Sequence, residues 1–161
     1  MNPCIETPFD TWSAWRSHVL EVIRLARHRL LVFEHRLSVT GLESPAGLEA
    51  LGALLRRVPL GQVRILVGSD DAPGERCPQL LQLLERHGQG AALHVLDENM
   101  AAPVQCFVLG DDTMLATRFH HDAPRGKQCA GYGPETGRCA AGFESMWLNS
   151  GAAPGRTPTG L

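Results

Sequence analysis

Short apolar runs that alternate with amphipathic helical stretches constrain this chain more than any other feature. "RLLVFEH" (29–35), "QVRILVGS" (62–69) and "AALHVLDE" (91–98) each have the length and composition of a buried strand. Between and before them the apolar spacing changes to that of a helix. "DTWSAWRSHVLEVIRLARHR" places Trp12, Trp15, Val19, Val22, Ile23 and Ala26 on one stripe, with Asp10 in the N-cap position. "ESPAGLEALGALLRRV" opens with Ser44 as cap and Pro45 in the first turn, and turns Leu48, Leu51, Leu54 and Leu55 inward. "CPQLLQLLERHG" is a third helix, with Pro78 near its start and Gly88 just past its end.

The segment "PVQCFVLGDDTMLATRFHHD" (103–122) predicts strands near 104–109 and 113–118 around the turn at Asp111-Asp112. "PETGRCAAGFESMWLNS" (134–150) is a closing helix with Phe143, Met146 and Trp147 on one face. The order α-β-α-β-α-β-β-β-α predicts an α/β fold. Its mostly parallel sheet has about five strands, helices on both faces and a C-terminal hairpin. One domain over 1–150 and a Pro/Gly-rich flexible tail over 151–161 are expected.

Charge and cysteine content narrow the function classes. The net charge is −2 and Lys127 is the only lysine, so no global basic field argues for nucleic acid or an anionic membrane. No apolar run reaches the length of a membrane span. The first residues lack a secretory pattern, and the 5 cysteines are irregularly spaced, so reduced thiols in the cytoplasm are expected.

Three pieces of the sequence carry a resemblance: "HRLLVFEH", "GQVRILVGSDD" and "PVQCFVLGDDTMLATRF". In layout and hydrophobic pattern the chain resembles one lobe of the phospholipase D-like superfamily over roughly residues 12–150. Within it, the chain looks most like bacterial domains of unknown function without the catalytic signature, some of them appended to acetyltransferases. Catalysis in that superfamily implies an H-x-K-x4-D motif from each of two lobes, with one histidine attacking phosphorus and lysines holding phosphate oxygens. With Asp111 at the motif's aspartate, the histidine position falls on Val104 and the lysine position on Cys106. With Asp112 instead, those positions become Gln105 and Phe107. An H-x-K built on Lys127 would need histidine at 125, which is arginine. The resemblance therefore implies a domain without that chemistry, acting in binding or assembly. It also implies a homodimer that stands in for the paired lobes, with a protein partner as a further option.

Other constellations remain to be weighed. Arg118, His120, His121, Arg125 and Lys127 cluster near one strand end and form a candidate anion-binding loop. The same residues would serve a diverged phosphodiesterase or nuclease, or a nucleic-acid-binding module. His120, His121, Asp122, Cys129 and Cys139 are metal-capable types. In an extended segment, however, His120 and His121 point in opposite directions, and Cys129 and Cys139 are too far apart for a zinc knuckle, so no metal or cofactor is expected. Cys106 and Cys129 are candidates for a Cys/His pair, and Cys77 beside Arg76 is the nearest to an activated thiol. Asp70-Asp71, Asp97-Glu98 and Asp111-Asp112 would form an acidic rim if they shared one sheet edge.

Overall fold

The structure is a computed structural model that describes residues 4–152. Chain order is β1 (Ile5–Phe9), α1 (Trp12–Leu25), β2 (Leu30–Glu34), a 3-10 turn (Leu37–Thr40), α2 (Pro45–Arg57) and β3 (Val63–Val67). Then follow α3 (Pro73–Arg76), α4 (Pro78–Arg86), β4 (Ala91–Leu96), β5 (Cys106–Gly110), β6 (Met114–Arg118), β7 (Gly126–Ala130), α5 (Pro134–Leu148) and β8 (Ser150–Ala152). All five expected strands and the four expected helices are present, with ends shifted by a few residues.

Two expectations about the sheet are corrected. It has eight strands among the described residues, in the order β1-β7-β6-β5-β2-β3-β4-β8, and it is mostly antiparallel. Only β2–β3 and β3–β4 run parallel, which is where helices α2 and α4 cross over. After β4 the chain returns to lay β5 antiparallel against β2, and β6, β7 and β1 continue that meander outward. The alternation of helix and strand therefore describes one half of the sheet. The three unexpected strands are short, polar or Pro-containing ("IETPF", "GKQCA", "SGA") and carry little apolar pattern.

Helices do cover both faces. Leu30 and Val32 of β2 point into a core shared with α1, α2 and α4, while Leu31 and Phe33 point into a second core under Phe143 and Met146 of α5. That alternation of two buried faces explains why β2 reads as an unbroken apolar run. Ser44 caps α2 as expected, its side chain accepting from Gly47 N at 3.0 Å. Thr11, not Asp10, caps α1, accepting from Ala14 N at 3.0 Å. Gly151 and Ala152 of the expected tail pair with β4, and the rest of that tail lies outside the described residues. Among the described residues no helix is long and apolar enough to cross a membrane.

The meander leaves no room at Gly126, the first residue of β7. A Cβ there would stand 2.0 Å from the Thr117 carbonyl oxygen and 2.8 Å from the Phe9 ring. Gly126→Ala is expected to cost about 1–3 kcal/mol through displacement of β1 and β7. Urea unfolding checks it, and a variant as stable as the parent would refute the packing.

Candidate active-site edge

The carboxyl ends of the parallel strands are where open α/β sheets bind ligands. Here the end of β2 meets the start of β5 and the end of β6, because Cys106 pairs with Arg118 in register and Phe33 with Phe107. Both residues at the centre of this edge are charged and buried. Arg118 is 0% exposed and Glu34 is 1% exposed, and Arg118 Nη2 donates to Glu34 Oε1 in an ion pair. Burial holds the Glu34 carboxyl above the usual carboxylate range, and the Arg118 guanidinium offsets only part of that rise.

The guanidinium is held through both terminal nitrogens, whereas its Nε and Glu34 Oε2 are buried without a hydrogen-bond partner among the described residues. Nη1 donates to the carbonyls of His120 (3.3 Å), His121 (2.9 Å) and Ala123 (2.9 Å). Its Cζ lies 4.9 Å from the centre of the Trp12 ring and 5.0 Å from that of Trp15. The two tryptophans of the first helical stripe thus floor a cation as well as the core.

Those three carbonyl bonds shape the turn after β6. His121 stacks on His35 at 4.0 Å and 11° between ring planes, and on His120 at 4.6 Å and 23°. His35, just past β2, is anchored through Nε2 to the Pro103 carbonyl at 2.6 Å. His121 Nδ1 lies 3.0 Å from Asp122 Oδ1. Burial first, and then the neighbouring His35, hold His121 below the usual histidine range. The expectation that adjacent His120 and His121 diverge holds for an extended strand. This segment turns, and their rings lie together.

The five residues of the candidate anion-binding loop take different places. Arg118 is inside, paired with Glu34. Lys127, on β7, sits 2.8 Å from both Glu6 and Glu135, and those hydrogen bonds hold its ammonium well above the ordinary lysine range. His120 and Arg125 are exposed and His121 is half-buried between its two ring neighbours, Arg125 having no ion pair among the described residues. Arg125 borders a groove of about 470 Å³ that Phe9, Phe119 and Lys127 also line.

The positions that the resemblance aligns with the motif divide between two ends of one strand. Val104 and Cys106 lie at the buried-pair end. Burial and the neighbouring Glu34 carboxylate drive the Cys106 thiol far above its normal range. Asp111 lies at the opposite end, at φ 54°, where its carboxylate accepts the backbone N–H groups of Arg27, His28 and Arg29 at 2.7–3.1 Å. Partial burial works against ionisation there, and the three N–H donors outweigh it and keep the carboxyl below the usual range. Asp71 instead accepts from Leu37 N at 3.0 Å, and Asp97 from Asn99 N at 2.9 Å, both after carboxyl strand ends. The six acidic residues therefore do not share a rim. Cys77 is buried, and burial, Glu43 and Asp71 push its thiol up to about 11. Cys129 is likewise pushed up to about 12, with burial as the main cause.

Sequence reasoning missed Glu34, His35 and Pro103. The signal was present in "VFEH", where an apolar run meets a carboxylate at the strand end that open sheets use for sites.

This edge belongs to a fold with solved relatives. The structure is similar to Nuc from Salmonella typhimurium, a phospholipase D family member (TM-score 0.62, 13% identity, 93% of this chain and 98% of that one). It is similar to NucT from Helicobacter pylori (TM-score 0.64, 10% identity, 93% and 99%). It is also similar to TrmBL2, an archaeal chromatin protein (TM-score 0.64, 11% identity), where 91% of this chain spans 54% of that one. The fold is therefore phospholipase D-like. Residues 11–155 match the family described as Domain of unknown function (DUF7931), and the chain belongs to that family. No curated protein matches it in sequence.

Two predictions follow from the charges. Glu34→Ala strands a buried guanidinium and is expected to cost about 3–5 kcal/mol, whereas Glu34→Leu combined with Arg118→Met is expected to cost much less. Chemical denaturation of both variants reads this; equal losses would refute the coupling. Asp111→Asn is expected to cost about 1–2 kcal/mol at neutral pH. Because the folded carboxyl is held below its unfolded value near 4, that stabilisation is complete above pH about 4. It is lost as pH falls through the folded value, so the two melting curves should converge in acid.

Proposed function

We propose that this domain keeps the phospholipase D-like scaffold without phospholipase D-type catalysis, and acts in binding or assembly as a homodimer. The observation that carries this reading is what occupies the motif end of β5. Val104 and Cys106 stand where the resemblance implies a nucleophilic histidine and a phosphate-holding lysine. Directly across from Cys106 the space belongs to the Arg118–Glu34 pair. A phosphorylated-enzyme intermediate needs an accessible nucleophile beside free cationic donors. Cys106 is buried and held protonated, and the Arg118 charge is engaged by Glu34 and three carbonyls.

Assembly is supported by the surface around that edge. Val104 is 52% exposed and Phe119 is 45% exposed, two apolar side chains at the chain segments that meet there. A two-fold contact through this edge would cover both and set the His120–His121 turns of two copies near one axis.

A second reading, binding of nucleic acid or another anion, draws on Arg125 together with His120 and His121 at the surface. The weak net charge argued against nucleic acid from sequence. A chromatin protein among the fold relatives, whose structure shows a mode of DNA binding, keeps nucleic acid open as a partner.

Turnover of bis(p-nitrophenyl) phosphate is expected to stay at the buffer rate. A rate that disappears in His121→Ala would establish the diverged phosphodiesterase instead. Sedimentation at micromolar concentration is expected to give twice the 17.5 kDa chain mass, and Val104→Asp is expected to return the monomer. Binding to duplex DNA that weakens steeply with salt and is lost in Arg125→Ala would support the second reading.

A further inference from the structure

The geometry points to a divalent transition-metal site on the turn after β6, with His120, His121 and Asp122 as its three protein ligands. One ligand atom from each lies within 4.8 Å of the others. Two imidazoles and a carboxylate are the donor set that suits zinc and its neighbours in the first transition row. Three protein ligands leave a further position for water or an anionic group.

Four observations make this turn a prepared set of ligands. Arg118 holds its backbone from beneath through the carbonyls of His120, His121 and Ala123, so the ligand-bearing segment is fixed by a buried cation. That cation is offset by Glu34 and adds little net repulsion to an arriving metal. His35 backs the His121 ring at 4.0 Å and is itself tied to the Pro103 carbonyl, which restrains the ring that carries the central ligand. Asp122 already lies close to both imidazoles, with Oδ1 at 3.0 Å from His121 Nδ1 and Oδ2 at 3.9 Å from His120 Nδ1.

Tetrahedral coordination at ordinary zinc bond lengths places ligand atoms about 3.4 Å apart. Closing from the present spacing moves the side chains of His120 and Asp122, which are 50% and 76% exposed, and a metal on His120 Nδ1 would displace the Asp122 N–H that donates to it at 3.2 Å. The metal would replace the Asp122–histidine contacts and separate the His120 and His121 rings. Because the turn sits at the carboxyl edge of β2, the open position would face the region where this fold presents ligands. His35 would act as a positioning residue, not a ligand.

The test is titration of the full, untagged chain with Co²⁺ and Zn²⁺. The expected result is one metal per chain, with the visible Co²⁺ spectrum of a nitrogen- and oxygen-ligated four- or five-coordinate ion. His120→Ala and His121→Ala should each weaken Zn²⁺ binding by roughly 100-fold or more, and His35→Ala by about 10-fold. His28→Ala, on an exposed histidine at the opposite end of β2, should leave it unchanged. Should a variant fail to fold, paramagnetic broadening by Co²⁺ in the parent protein's NMR spectrum decides: it should centre on residues 119–123 and 35. No stoichiometric binding at micromolar metal, binding indifferent to His120 and His121, broadening elsewhere, or a thiolate charge-transfer band would each overturn the assignment.

Discussion

The Arg118–Glu34 pair is the constraint around which one end of this molecule is arranged. A guanidinium without access to water is tolerable only if its charge and its N–H groups are met locally. Here the charge is met by Glu34, one donor arm by three carbonyls of the following turn, and the flat faces nearby by Trp12 and Trp15, while Nε alone is left without a partner among the described residues. The partners of this side chain at the end of the sixth strand come from three other parts of the chain: the first helix, the second strand and the turn after the sixth. Loss of the pair would therefore loosen more than one contact, because the turn that carries His120 and His121 is hung on the same side chain.

That arrangement depends on where the sheet changes polarity. β2 is parallel to β3 on one side and antiparallel to β5 on the other. Its carboxyl end thus faces the beginning of β5 and, one strand further, the end of β6. Residues 34, 106 and 118 meet there although 84 positions separate the first from the last. At the other end of the same strands, Asp111 ties the turn between β5 and β6 to the backbone ahead of β2. The two ends have opposite characters, one a backbone clasp and the other a buried charge under a histidine stack.

The apolar periodicity made the helices and five strands legible, and the absence of an H-x-K was plain from a single lysine. Sheet direction was not legible, since helix-strand alternation reports crossovers and is silent about a meander. β1, β7 and β8 escaped because strand pairing is done by backbone groups, which "IETPF" and "GKQCA" offer as well as any apolar run. Among the candidate site residues, their proximity in sequence was real and their environments were hidden. Arg118 and Lys127 find carboxylates from β2, β1 and α5, which no local spacing announces. The histidine stack needed a turn where the strand pattern suggested extension.

The pairing of Cys106 across from Arg118 also has an evolutionary side. A lysine at position 106, where the resemblance would put one, would set a second cation beside a buried first one, with a single carboxylate between them. Such a lysine would need position 118 to change at the same time, and with it the partner at 34. The same geometry predicts that substitutions at 34 and 118 travel together in descendants of this chain, while position 104, half-exposed at the rim, drifts freely.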